Sequence, residues 1–377
     1  MYKTIGIVTG GGDAPGLNAV IRAVVKTAIG EFGMRVIGIE DSFEGLLGQP
    51  KTRELSTADV RGLLPRGGTI LGTRNRGKFV TRPGESEDRK PEQIYREVIE
   101  SLNRLGIEAL VVLGGEGTLA IAAELDELGF PVIGVPKTID NDLACTELTF
   151  GFITALDIAT EALDRLHTTA ESHDRIMILE VMGRHAGWIA LHSGIAGGAD
   201  VILIPEIPFT MEAIAEKIRE RDRCDSQFSI IVAAEGALEA GREEAIYQHK
   251  GDKNSMPRLG GVGLYCQTEL ERITGKETRC VVLGHLQRGG SPNAFDRMLA
   301  TNYGAWAVRN LSAGKSGVMV ALHSADIITV PISKAIANLK TVAPDSQLVR
   351  TARDTGISFG APDEDRHHSA AGSGECV

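Results

Sequence analysis

Short apolar runs of strand length alternate with amphipathic helical stretches along almost the whole chain, and that alternation decides the fold class. Strands are expected at residues 4–9, 35–39, 109–113, 132–135, 175–181, 200–204, 229–234 and 279–283, with helices near 15–30, 91–105, 117–128, 151–170, 185–196, 210–222, 259–274 and 293–312. In the 91–105 stretch Ile94, Val98, Ile99, Leu102 and Leu105 recur at helical spacing, the period of a helix lying on a sheet. Apolar strands separated by helices form parallel sheet covered on both faces. At 377 residues the chain has too many such units for one compact sheet. The expected fold class is therefore α/β, with two doubly wound Rossmann-like lobes and the active site in the cleft between them. The change of lobe is placed near residue 140. Residues 75–92 and 237–258 read as surface additions, and the chain from about Ala361 as a disordered tail whose His367-His368 pair is solvated.

Bulk properties exclude several functions. The net charge of −10 offers no broad basic face to nucleic acid or to an anionic membrane. No apolar run reaches the roughly 18 residues of a membrane span, and the N-terminus enters a strand without a signal-type segment. Five scattered cysteines without a C-x-x-C pair argue for reduced thiols in a cytoplasm. The chain has 45 glycines and only 5% aromatic residues, which suits loops gripping small ligands.

The chemistry collects where strands end, the place open α/β sheets bind ligands. Pro136-Lys137-Thr138-Ile139-Asp140-Asn141-Asp142 sets a cation, a hydroxyl and two carboxylates into seven residues after an apolar strand. Thr9-Gly10-Gly11-Gly12-Asp13-Ala14-Pro15-Gly16 and Gly114-Gly115-Glu116-Gly117-Thr118 each join a strand to a helix through glycines. Such loops let backbone N–H groups approach a phosphate at a positive helix end. Neither has the G-x-G-x-x-G or the G-x-x-x-x-G-K-[ST] spacing. Glu180 to Gly187, Glu235-Gly236 and Gly284 to Pro292 follow three further strands. Arg175, Arg184, Arg279, Arg288 and His285 form a cationic set able to hold a phosphate through forked hydrogen bonds.

Taken in order, residues 11–22, 114–118, 136–142, 180–184 and 283–292 resemble the 6-phosphofructokinase family, a likeness running from about residue 3 to 325. The resemblance implies phosphoryl transfer from ATP to the 1-hydroxyl of fructose 6-phosphate, in glycolysis, with Mg²⁺. It implies that residues 1–140, completed by about 279–312, form the donor lobe, and that 141–278, completed by about 313–345, form the sugar-phosphate lobe. Carried over by position, Asp140 is the base that takes the hydroxyl proton, flanked by Thr138 and Ile139, and Arg184 steadies the transferring group. Met182, Gly183, Arg184, Glu235, His285, Leu286, Gln287 and Arg288 bind the sugar phosphate. Arg175 and Arg279 reach it from a neighbouring subunit, which implies a homodimer or homotetramer with shared sites. Gly11, Gly12, Gly115, Glu116, Gly117, Thr118, Lys137 and either Arg74 or Arg76 attend the donor, and Glu116 and Asp142 serve the metal.

Departures from the family pattern bear on the donor. Gly117 is the small residue typical of ATP users, whereas Lys137 is the residue diphosphate users favour. The hybrid leans to ATP, because an occluding side chain excludes a nucleotide while an added cation only strengthens phosphate contacts. A diphosphate-dependent enzyme is the alternative, with a lipid or NAD kinase and a non-catalytic sugar-phosphate sensor further off. The allosteric bacterial effector site is poorly matched: His167 replaces an arginine and residues 222–227 lack the expected lysines.

Overall fold

Why residues 4–9 become a central strand is plain from their burial: every side chain of β1 (Thr4–Thr9) is inaccessible to solvent. The computed structural model describes residues 2–74, 91–224, 226–242, 247–249 and 258–361. It divides into two units, the first of residues 1–154 and 288–339, the second of 155–287 and 340–377.

In the first unit β1 is followed by α1 (Leu17–Phe32), β2 (Arg35–Ile39), β3 (Thr52–Leu55), α2 (Pro91–Arg104), β4 (Ala109–Gly114), α3 (Glu116–Glu127) and β5 (Val132–Pro136). The chain leaves through α4 (Phe152–Glu171) and passes through the second unit: β6 (Ile176–Val181), α5 (Trp188–Ala196), β7 (Val201–Leu203), α6 (Met211–Arg223), β8 (Ser229–Ala234), the short β9 (Tyr247–His249) and β10 (Arg258–Leu259), α7 (Val262–Thr274) and β11 (Thr278–Val282). It returns to the first unit as α8 (Ala294–Ser312), β12 (Val318–His323), β13 (Asp326–Pro331) and α9 (Ile332–Ile336), and ends in the second with α10 (Gln347–Asp354).

The first unit's sheet has the order β13-β12-β5-β4-β1-β2-β3. It is parallel except for its two edge strands: β3 runs against β2, and β13 against β12. Alternate residues of β4 serve opposite faces, as strand geometry requires. Val111 and Leu113 join α1 and α8 in one apolar layer, while Leu110 and Val112 join α2, α3 and α9 in the other. Each fully buried aliphatic side chain here contributes about 1.5–3 kcal/mol. The second unit's parallel sheet has the order β11-β6-β8-β7.

The doubly wound α/β class holds for both units, but the chain is divided differently from expectation. The boundary falls after Thr154 rather than near 140. Residues 279–287 belong to the second unit through β11, and most of 313–345 belongs to the first, because β12 pairs with β5. Strands β3, β12 and β13 and helices α9 and α10 were not expected. β3 and β13 are edge strands with half-exposed faces, so neither shows the continuous apolar run that marks a central strand. Helix α1 opens at Leu17 rather than Pro15, since Gly16 sits at φ 111°, a conformation open to glycine and closed to the helix. The expected surface stretch 75–92 lies outside the described residues apart from the start of α2, as do Arg76 and nearly all of the expected tail. Cys145, Cys266 and Cys280 are free thiols.

One buried carboxylate holds the turn where the chain leaves the first unit. Asp296, fully buried, accepts from Gly151 N–H at 2.9 Å and from Thr154 N–H and Oγ–H at 2.7 and 2.5 Å. Truncating it strands several buried donors, each costing about 1–3 kcal/mol. Asp296→Ala should lower the urea-unfolding free energy by roughly 3 kcal/mol or more, with Asp296→Asn falling between; a loss below about 1 kcal/mol would refute this role.

Candidate active site

The sheet order of the first unit creates a place for a ligand. From β1 the chain crosses to β2 on one side, and β4 lies on the other. The loops leaving β1 and β4 therefore diverge at a topological switch point, the usual binding crevice of an open α/β sheet. Residues 10–13 leave the C-terminal end of β1, and residues 114–116 leave that of β4. The two ends are coupled, with Gly10 N–H donating to the Leu113 carbonyl at 2.9 Å. Thr118, in the first turn of α3, packs so closely against Gly10 and Gly114 that side chains there would overlap it. Gly11 N–H donates to the Arg74 carbonyl at 3.3 Å and Thr73 Oγ1 donates to the Gly11 carbonyl at 2.6 Å.

The Pro136–Asp142 turn leaves β5, next to β4, with Gly114 in register with Pro136. It sets Lys137 against the β1 loop, where the buried ammonium donates to the Gly12 carbonyl. Burial is the chief force pushing this amine down, to about 8, and the Arg288 guanidinium adds to it; Asp13, Asp142 and Asp140 pull the other way. Four sequence-predicted charges thus meet at one loop: Lys137, Asp140, Asp142 and Arg288. Asn141 takes a left-handed φ of 52° while its side-chain oxygen accepts from Thr149 N–H at 3.1 Å. Thr138 Oγ1 accepts from Asp140 N–H at 3.1 Å. That bond orients the carboxylate's backbone, which no strand or helix does.

Two of the expected residues are already engaged within the protein. Ile139 is fully buried, so only its backbone can meet a ligand. Arg288, expected with the sugar-phosphate residues, donates to the Asp13 carbonyl at 3.2 Å and lies over Gly12. Glu116 and Gly117 are exposed at the N-terminus of α3, and a side chain at Gly117 would meet nothing within 4 Å.

In the second unit, β6 and β8 are paired neighbours whose C-terminal loops bond to each other. Glu235 N–H donates to the Val181 carbonyl at 2.8 Å and Gly236 N–H to the Gly183 carbonyl at 3.1 Å. A side chain at Gly236 would stand 2.1 Å from the Arg184 carbonyl, so only glycine lets the Met182–Arg184 loop close on β8. Gln287, expected to touch substrate, is fully buried and instead accepts Met182 N–H at 2.8 Å. Met182 is itself buried, whereas Arg184 and Glu235 are half-buried and His285 and Leu286 exposed. Glu180, named in a motif but given no role by the sequence, has one here: its buried carboxylate receives Gly261 N–H at 3.0 Å and Gly263 N–H at 2.8 Å, closing the first turn of α7. An acidic residue at the end of an otherwise apolar strand was the available signal. Arg175 and Arg279 share Glu277, Arg175 at 2.9 Å, and Arg279 also pairs with Glu271 at 3.1 Å.

Lys137 yields a test through stability. Its amine is harder to protonate folded than unfolded, so the charged form opposes folding. That penalty is complete below pH 8 and fades as pH rises from 8 towards 10.5. Relative to Lys137→Met, the parent chain should gain unfolding free energy across that window, measured in urea. A difference that stays flat with pH would mean the amine is not buried as described.

Comparison with known proteins bears on this geometry. A family model described as Phosphofructokinase matches residues 4–311. The chain is 59% identical over 358 residues to an ATP-dependent 6-phosphofructokinase of Chloroflexus aurantiacus, covering 95% of this chain and 98% of that one. It is 49% identical over 357 residues to a pyrophosphate–fructose 6-phosphate 1-phosphotransferase of Streptomyces coelicolor, covering 94% and 99%. Among solved structures, Pichia pastoris phosphofructokinase in the T-state superposes with a TM-score of 0.76 at 30% identity; 99% of this chain is covered, and it spans 38% of the yeast chain. The chain belongs to the phosphofructokinase family.

Proposed function

We propose that this chain transfers a phosphoryl group from ATP to the 1-hydroxyl of fructose 6-phosphate, giving fructose 1,6-bisphosphate. The observation that carries the reading is the turn after β5, where Asp140 and Asp142 stand with Lys137 and Arg288 against the glycine loop of β1. Phosphoryl transfer needs positioning and charge neutralisation more than covalent chemistry. Asp140 takes the proton from the sugar hydroxyl, and Arg184 neutralises charge on the group in transit. Gly11, Gly12, Gly115 and Thr118 present backbone and hydroxyl donors to the donor phosphates, with Lys137 and Arg74 as cations. Met182, Gly183, Glu235 and His285 bind the sugar phosphate, and Gln287 serves by fixing the Met182 backbone.

Mg²⁺ suits this set. Magnesium is usually held by one or two carboxylates plus substrate phosphates. Glu116 and Asp142 follow the adjacent parallel strands β4 and β5, and among the described residues no larger cluster of metal-binding side chains competes. Bound there, the ion would neutralise the donor phosphates.

A diphosphate donor is the second reading, favoured by Lys137 and by the similarity to the Streptomyces transferase. One observation supports ATP over it: the space beside Gly117 is open where a nucleotide would need it. Among the described residues no helix is long and apolar enough to cross a membrane, which agrees with work in the cytoplasm.

The oligomer belongs to the same proposal. β11 is an edge strand that leaves Val281 and Val282 about 40% exposed, with Leu286 at 68%. Apolar surface on a strand edge suits a second copy of the chain. Arg279 is half-exposed, and exposed ion pairs are worth about 0–1 kcal/mol, so turning it towards a neighbour's sugar phosphate costs little.

A coupled assay with fructose 6-phosphate and either ATP or diphosphate tests the function; kcat/KM at least tenfold higher with ATP is expected, and preference for diphosphate would reverse the donor assignment. Asp140→Asn should lower kcat by about 10²- to 10⁴-fold with KM for the sugar phosphate little changed; activity within tenfold of the parent would remove Asp140 as base. Co-expressing Asp140→Asn with Arg279→Ala tests shared sites. In a mixed dimer both lesions fall on one site, so random pairing should return about a quarter of parental activity, whereas simple addition of the two residual activities would mean that each site is built from one chain.

A further inference from the structure

The segment between β2 and β3 carries a feature that the proposed chemistry does not use. Asp41 and Ser42 are consecutive non-glycine residues in left-handed conformation, at φ 59° and 66°. Each such residue costs on the order of 1 kcal/mol, and strain of this kind collects at functional sites. The strained corner is held in place: Asp41 N–H donates to the Leu71 carbonyl at 2.9 Å, and a side chain at Gly10 would meet the Ser42 hydroxyl at 3.1 Å. Held this way, the Asp41 carboxylate lies between two cations, Lys51 Nζ at 3.0 Å and the Arg74 guanidinium at 3.3 Å. The backbone of Arg74 is itself bound to the glycine loop through Gly11 N–H. Asp41, Lys51 and Arg74 line an open concavity of about 110 Å³ with Glu44, Gln49 and Leu47.

Stability does not explain the arrangement. All three charged groups are about one-third to three-fifths exposed, and surface pairs of this kind contribute about 0–1 kcal/mol, roughly cancelled by the local strain. What the corner does accomplish is orientation. An arginine free at χ3 and χ4 sweeps a wide volume, and one ion pair on a rigid corner confines the fork. Lys51 and Arg74 in turn hold the Asp41 carboxyl below the usual carboxylate range, so it is charged at neutral pH.

We propose that Asp41 is a positioning residue for the phosphoryl donor: its carboxylate fixes the guanidinium of Arg74, whose backbone is bonded to the glycine loop between β1 and α1, ready for a donor phosphate. This rests on the donor site proposed above, and it selects Arg74 as the arginine that meets the donor. The strain at residues 41 and 42 is then the cost of presenting a carboxylate at that point, and Lys51 keeps its net charge from repelling an anionic ligand.

The test combines steady-state kinetics with calorimetric binding of Mg·ATP to the full chain, on Asp41→Asn, Asp41→Glu, Arg74→Met and the double variant Asp41→Asn/Arg74→Met. Asp41→Asn should raise the donor KM and Kd about five- to tenfold, with kcat and the fructose 6-phosphate KM within twofold of the parent. Asp41→Glu should recover most of that loss. The double variant should be no worse than Arg74→Met alone, because Asp41 acts through Arg74. A purely structural role for Asp41 would move the melting temperature and both substrates' KM together, and that result overturns the proposal. So does an unchanged donor affinity in Asp41→Asn, or losses that multiply in the double variant. If the parent chain binds Mg·ATP but does not phosphorylate fructose 6-phosphate, the proposed reaction fails on its own. The binding series still decides Asp41 in that case, with weakened ATP binding in Asp41→Asn supporting it and unchanged binding refuting it.

Discussion

A buried ammonium joins the parts of the first unit's site. Lys137 leaves β5, crosses to the loop after β1 and donates a hydrogen bond to the Gly12 carbonyl from a position with almost no solvent contact. Taking a lysine out of water is unfavourable unless carboxylates or carbonyls replace the hydration. Asp13, Asp140 and Asp142 supply that field, and Arg288 opposes it. The glycines of the loop are therefore not only room for a phosphate. They expose a carbonyl that a side chain at residue 12 would crowd, because the Arg288 guanidinium already fills that space. Loops after β1 and β5 are fixed to each other by one charged hydrogen bond, and the Asp140 carboxylate inherits its place from them.

The second unit reaches a similar precision with backbone bonds and two buried side chains. Its loops after β6 and β8 are bonded backbone to backbone, and Gln287 spends a fully buried amide on the single N–H of Met182. Glu180, two residues earlier, spends a carboxylate on the start of α7. Gln287 holds backbone adjoining Gly183 and Arg184, and Glu180 ties the start of α7 to the end of β6. A site residue named from a motif is thus often a support, and burial separates the two: Gln287 is fully enclosed, while Arg184, three residues from the end of β6, is half-buried.

Much of this was legible in the sequence, and for a physical reason. Central parallel strands are apolar on both faces, so β1, β4, β5, β6 and β8 stand out as continuous runs, and the residues just past their ends are where function must lie. The Gly-rich loops and the Asp-rich turn were found from that rule, and the family likeness followed from the order of the motifs. Edge strands escaped it. β3 has a half-wet face and polar residues in the run, so little local pattern distinguishes it from loop, whereas the β-branched run Ile327 to Val330 of β13 was a strand signal left unread.

What the tertiary structure alone decided is which chemically suitable side chains are free to act. Sequence determined that Lys137, Ile139, Gln287 and Arg288 sit in loops that follow strands. Only packing shows Ile139 turned into the core, Gln287 spent on Met182, Arg288 laid on the glycine loop, and Lys137 desolvated against Gly12. The division of the chain belongs to the same class: β12 joins β5 at residues almost two hundred positions away, and no local preference encodes a partner that distant. Motifs are set by the chemistry of neighbours in sequence; burial, charge environment and strand partnership are set by neighbours in space, which the chain acquires only by folding.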